Sequence, residues 1–299
     1  MSRRPPPFAI IACSAAAVCA AAAPPEASSA GRESPDAVVQ LFNGKDLDGW
    51  DADLASPGTD KPPGRHDDPL RVFSVVSEDR EPAVRVSGQV MGGLSTRRDF
   101  SNYVLRLEFK WGKKKWPPRE NSVHDSGVLY HCVGEASPRT GWMQSAECQI
   151  EEQDCGDFWA VQGVRAEADT IRMDASEAQR RQFETWAKRN EGNYPPFAYQ
   201  KGAPRMTVHG DGLMKSGDAE RPTGEWNVVE IYCVGTTAVH VINGTPVMVL
   251  HNLRRPAAAG AKEKPLDHGK IQLQSEGVEV FFRKLEVRPI RALPREYLD

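Results

Sequence analysis

The chain has 299 residues, 39% of them apolar and 26% charged, a soluble globular balance with length enough for a real core. A formal net charge of -3 gives no general attraction to polyanions, so neither a nucleic-acid partner nor an anionic membrane surface is expected.

Residues 1–30 differ in kind from the rest. Arg3 and Arg4 form a basic start, and 8–23 is an Ala-rich apolar run too short to span a bilayer as a mature anchor. Ala21, Ala22 and Ala23 offer a small-residue cleavage site. The expectation is a secretory signal, export to the periplasm or outside the cell, and no transmembrane anchor after its removal. Cys13 and Cys19 leave a lipoprotein as the alternative, although the apolar run before Cys13 is short and Val18 suits lipidation of Cys19 poorly. A Ser/Pro/Glu linker at 24–35 has nothing to bury. Export would permit disulfides among Cys132, Cys148, Cys155 and Cys233. Sequence does not choose among the three pairings, and small buried apolar thiols are the simpler reading of Cys132, Cys148 and Cys233.

The folded region begins near Val38, with the Asn43-Gly44 turn and the Gly49-Trp50 anchor. The polar stretch 51–69 reads as a surface loop. Several later segments alternate with period two, as half-buried strands do. In 104–111, Leu105, Leu107, Phe109 and Trp111 share one face, and Arg106, Glu108 and Lys110 the other. In 128–133, His131 falls on the side of Leu129 and Val133. In 147–152, Glu147, Gln149 and Glu151 share a face opposite Cys148 and Ile150. Segments 227–234 and 238–242 also read as strands, and Asn243-Gly244 after them is a hairpin signal. Segments 270–274 and 278–287 form a closing pair. A helix is expected at 176–190, with Ser176 and Gln179 capping its start, inside a polar insertion at 169–224. That insertion is either a site-shaping loop or decoration. Many short strands, frequent Gly/Pro turns and one helix predict a single β-sandwich of jelly-roll type over 38–290.

Six segments occur in a telling order. Leu41-Phe42-Asn43-Gly44 with Gly49-Trp50 comes first, then 103–110, then Asp125-Ser126-Gly127 leading to His131. Glu147-Cys148-Gln149-Ile150 follows, with Gly156-Asp157-Phe158-Trp159. Then come Gly224-Glu225-Trp226-Asn227 and Asn243-Gly244, and last 269–277 leading to Phe282-Arg283. In this order they resemble the 3-keto-disaccharide hydrolase family, across about 38–290. The resemblance implies a concanavalin-like jelly roll of two antiparallel sheets, an exported carbohydrate-active protein, and cleavage of 3-keto-glycosides or 3-keto-disaccharides. The chain departs from the usual family pattern at Asp125 (Asn), at Glu276 (often His) and at Lys284 after Arg283 (Asn).

A ketone at C3 of a sugar acidifies the C2 proton, so the implied chemistry is elimination followed by hydration. It needs a base, a proton donor and a group that steadies the enolate. Glu147 is the expected base, and His131 and Glu276 are the other expected catalytic residues. Asp125, Gln149, Gln274, Arg283 and Trp159 are expected to bind the oligosaccharide or glycoside. Each has a plainer reading: Glu147 and Glu276 as surface charges, His131 as a core histidine, Arg283 as the partner of a carboxylate, Trp159 as an anchor. Asp125, His131, Glu147, Glu151 and Glu276 supply ligand types suited to a divalent metal ion, and no spacing specifies one. A non-catalytic carbohydrate-binding module and a partner-binding exported domain fit the same residues.

Overall fold

The computed structural model describes residues 37–56, 67–172, 197–210, 212–256 and 262–298. The chain divides into 1–34 and 35–299, and everything described belongs to the second unit. The expected signal at 1–30 and the expected helix at 176–190 lie outside the described residues.

In chain order the strands are β1 (Val39–Gln40), β2 (Trp50–Leu54), β3 (Phe73–Glu78), β4 (Glu81–Val86), β5 (Gly92–Thr96), β6 (Tyr103–Lys115), β7 (Asp125–Val133), β8 (Gln144–Glu151) and β9 (Phe158–Val161). They continue as β10 (Arg165–Arg172), β11 (Phe197–Tyr199), β12 (Arg205–His209), β13 (Asn227–Val234), β14 (Thr237–Ile242), β15 (Thr245–Arg255), β16 (Lys264–Pro265), β17 (Lys270–Ser275) and β18 (Val278–Pro289). A short helix, α1 (Arg295–Leu298), follows. One sheet runs β11-β10-β15-β14-β13-β6-β18-β4-β3, with β12 on β10, β16 on β15 and β1 on β18. The other runs β2-β5-β17-β7-β8-β9. The pairings are antiparallel, and the fold is a jelly-roll β-sandwich.

Period-two alternation builds it. Along β13, residues are buried and half-buried in strict turn. Leu105, Leu107 and Phe109 of β6 are wholly buried and join one core cluster with Val128, Cys148, Ile150 and Leu273 of the smaller sheet. Asn243 and Gly244 both have positive φ (49° and 82°), as a tight hairpin between β14 and β15 requires. The four described cysteines are free and buried, as the packing reading has it.

The larger sheet also buries part of its outward face. Arg283 donates from Nε to Glu108 Oε2 at 2.7 Å, and its guanidinium lies 3.8 Å from the centre of the Trp226 ring. Trp226 Nε1 donates to Asp79 Oδ2 at 2.7 Å, and Lys110 pairs with that same carboxylate oxygen. This apparatus stiffens a sheet surface and occupies Arg283 fully.

The core has one conspicuous anchor, Phe282 on β18. Its ring is fully buried and packs among residues of both sheets. Phe282→Ala is expected to cost about 3–5 kcal/mol of unfolding free energy, measured by urea denaturation.

Candidate active site

The site forms on the outward face of the smaller sheet. Across β7 and β8, Asp125 lies opposite Glu151, Gly127 opposite Gln149, and Leu129 opposite Glu147. Alternation sends Val128, Cys148 and Ile150 into the core, so Glu147, Gln149 and Glu151 must face away from it. Trp159 of β9 sits directly across from Glu147, and β17 brings Gln274 from the other side. Directly opposed side chains on one face are in contact range.

Gly127 makes this crowding feasible. A Cβ there would come within 2.1 Å of Glu147 Oε1 and 2.8 Å of Gln274 Oε1. The glycine is therefore the floor on which both side chains lie. Gln274 is 1% exposed, and neither atom of its carboxamide has a hydrogen-bond partner among the described residues. A buried amide in that state is costly unless something else fills its valence.

The loop after β6 supplies the cation. Trp116 N donates to the Gly277 carbonyl at 2.8 Å and its indole N–H to the Ser87 carbonyl at 2.9 Å. A turn then sets Arg119 N on the Trp116 carbonyl at 2.7 Å. The Arg119 guanidinium pairs with Asp125 through one nitrogen and with Glu276 through the other. Its stem packs on Gly277, where an added Cβ would meet Arg119 carbons at 3.1 Å. Together these residues line a cleft of about 390 Å³, walled also by Ser122, Trp142, Gln149, Glu151 and Trp159. Trp142 is pinned by its indole N–H on the Gly92 carbonyl at 3.1 Å.

Burial sets the electrostatics. Glu147 is 5% exposed, and desolvation, with Asp125 nearby, pushes its carboxyl up to about 8, against the opposing effect of the Gln274 amide. Burial, Asp125 and Glu147 also push Glu276 well above the usual carboxylate range, against the Arg119 guanidinium. Three carboxylates and one guanidinium in so dry a place cannot all be charged, so the cluster retains a proton near neutral pH and titrates as a unit.

The cleft thus gathers Asp125, Glu147, Gln149, Trp159, Gln274 and Glu276. Two expected residues are elsewhere. His131 is wholly buried in the core, edge-on to Tyr103 and Tyr130, with Nδ1 donating to the Leu266 carbonyl at 3.1 Å. A bulge between Tyr130 and Val133, with His131 at φ 52°, breaks the alternation that would have kept it beside Leu129. Burial lowers its pKa to about 4, so it is a neutral core histidine and not the acid of this cleft. Arg283 belongs to the other sheet, as described above. Arg119 and Ser122 went unforeseen, because their loop carries no strand period. The signal available was indirect: buried carboxylates require a cation. Among the described residues no three His, Cys, Asp or Glu side chains are grouped to hold a metal ion, and Arg119 already bridges Asp125 and Glu276. The residues present do not fit a metal, and no step is routed through one.

A family model described as the 3-keto-alpha-glucoside-1,2-lyase-like domain matches residues 37–288. No curated protein matches the chain. Among solved structures, a "Putative glycosyl hydrolase" from Parabacteroides distasonis is 20% identical, with 85% of this chain and 100% of that one covered and a TM-score of 0.48. A second glycosyl hydrolase so described, from the same organism, is 17% identical, covering 85% and 94%, with a TM-score of 0.44. The carbohydrate binding module CBM66 from Bacillus subtilis is 7% identical, covering 80% and 95%, with a TM-score of 0.41.

The raised Glu147 pKa has a consequence for stability. The folded chain holds a proton that an unfolded glutamate, ordinarily near 4.5, gives up. Its contribution is therefore complete below about pH 4.5 and is lost as pH rises toward 8. Glu147→Gln, neutral at every pH, is expected to flatten that decline. Denaturant unfolding of both proteins from pH 5 to 9 checks it: the variant gains on the wild type as pH rises.

Proposed function

Because the chain belongs to the 3-keto-alpha-glucoside-1,2-lyase-like domain family, we propose that it is an enzyme cleaving 3-keto-glycosides by elimination across C1 and C2, with hydration following. One observation carries the reading: an almost fully buried glutamate, Glu147, lies at the bottom of a polar cleft beside a second buried glutamate and an unpartnered amide.

In this reading Glu147 takes the C2 proton. A carboxylate whose pKa is about 8 is a stronger base than an ordinary one and is still deprotonated in part near neutral pH. The electron pair moves to the ketone oxygen, giving an enolate. Gln274 supplies a buried carboxamide beside Glu147, preorganised for that developing charge. Collapse of the enolate expels the aglycone oxygen from C1. Glu276, pushed toward its protonated form, donates to that oxygen. Arg119 holds Asp125 and keeps Glu276 in place as it loses the proton. Water adding to C1 of the enone, with a proton returning to C2, completes hydrolysis; release of the enone instead is a lyase outcome. No pair of carboxylates flanking an oxocarbenium ion is needed.

The same reading includes export, motivated by the N-terminal apolar run. Intact mass of the protein secreted by its native host checks this: a mature N-terminus near residue 24 supports it, and a retained Met1 in the cytoplasm overturns it.

For the chemistry, Glu147→Gln is expected to lower kcat on a 3-keto-disaccharide by about 10²–10⁴-fold with the fold intact, as loss of a general base does. The wild-type kcat/KM should rise with pH toward about 8 as Glu147 loses its proton, and fall again once Glu276 has lost its own. A variant that still turns over at the wild-type rate, or a protein that binds but never cleaves, would leave a carbohydrate-binding module as the better account.

A further inference from the structure

The cleft does not end at Glu147. A second compartment of about 330 Å³ adjoins it, and the two share Trp142, Glu147 and Trp159. The first compartment is rich in carboxylates and holds the unpartnered Gln274 amide. The second has Glu147 as its single carboxylate, at the shared edge, and is lined further by Ala160 and Val161.

Part of the polar lining of the second compartment is engaged locally, and Arg139 adds an exposed guanidinium at its rim. Ser137 Oγ accepts from Arg139 N at 3.2 Å, and Thr140 Oγ1 accepts from Trp142 N at 3.2 Å. Gln162 Nε2 donates to the Trp142 carbonyl at 2.8 Å. The Trp142 indole N–H is engaged on Gly92, so that ring offers its apolar surface and no donor. A second hexose needs several well-placed partners for its hydroxyls, and between Trp142, Trp159, Ala160 and Val161 this compartment offers mainly apolar surface. A flat apolar ring needs pinned aromatic surface, and that is what it presents.

We propose that the second compartment is the aglycone site and that it selects 3-keto-glycosides bearing a planar aromatic aglycone over those bearing a second sugar. This rests on the reaction proposed above. It follows from where Glu147 sits: the base must reach C2, next to the scissile C1–O bond, so the sugar undergoing elimination lies on one side of Glu147 and the leaving group on the other. The glycone takes the polar compartment, with Gln274 at its ketone. The aromatic ring takes the compartment of Trp142, Trp159, Ala160 and Val161.

The test uses the full-length protein and three substrates: the phenyl, methyl and glucosyl 3-keto-α-glucosides. Val161→Asp places a charge beside the ring without touching the base, and thermal melting verifies its fold. The expected result is a fall of about tenfold or more in the phenyl-to-methyl ratio of kcat/KM, carried by KM, with the glucosyl-to-methyl ratio moving less than about twofold. An equal fall in both ratios would assign the compartment to a sugar, and no fall in either would show that it is unused; both overturn the proposal. Should the wild type cleave none of the three, the reaction assignment fails by itself. The compartment is then judged by calorimetric binding of phenyl and methyl α-glucoside. A tenfold preference for phenyl that Val161→Asp abolishes sustains it, and equal affinities overturn it.

Discussion

The site is governed by the difficulty of ionising several carboxylates in one dry place. Asp125, Glu147 and Glu276 crowd one end of a sheet face, where burial and Asp125 raise the cost of charging Glu147, and burial, Asp125 and Glu147 that of charging Glu276. Arg119 relieves that crowding for two of them, bridging Asp125 and Glu276. Glu147 is left with no such guanidinium, and burial raises its carboxyl pKa. The proposed mechanism uses that division, with one glutamate to accept a proton and another to lose one. Remove the guanidinium and the whole cluster must either protonate or draw in water. The loop that delivers Arg119 is anchored at both Ser87 and Gly277, which ties the charge balance of the cleft to the packing of the sandwich beneath it.

Much of the sandwich was legible in the sequence because its strands obey one rule. Alternation in 104–111 and 147–152 gave the faces correctly, since a buried core on one side enforces period two. It placed Glu147 and Gln149 together and away from Cys148. The same rule failed at His131, where a bulge spends one residue out of register and turns the ring inward. Arg283 failed for a different reason. Alternation says which face of a strand a residue takes, and it is silent on which sheet the strand joins; β18 lies in the larger sheet, far in topology from β7 and β8. Arg119 lies in a turn, where no period operates, and its importance appears only once two carboxylates are seen converging on it.

The contrast between the two compartments is a contrast in engagement of polar atoms. Where Gln274 waits unpartnered, a ligand gains by completing the valence of the protein. Where Ser137, Thr140 and Gln162 brace their own loop, a ligand gains by surface and shape instead. Under the proposed assignment a substrate satisfies both when its two halves differ in the same way, with a hydroxylated ring at one end and an apolar one at the other. The sheet supplies the straight edge along which these halves are measured.

Gly127 stands apart from every other position in the cleft, because it contributes only its lack of a side chain. What the cleft uses is the room that this absence leaves for Glu147 and Gln274. A methyl group at this point would collide with Glu147 Oε1 and crowd the Gln274 carboxamide, so both side chains would have to leave the floor they share. The reach of a buried carboxylate here is thus set by an atom that the chain leaves out.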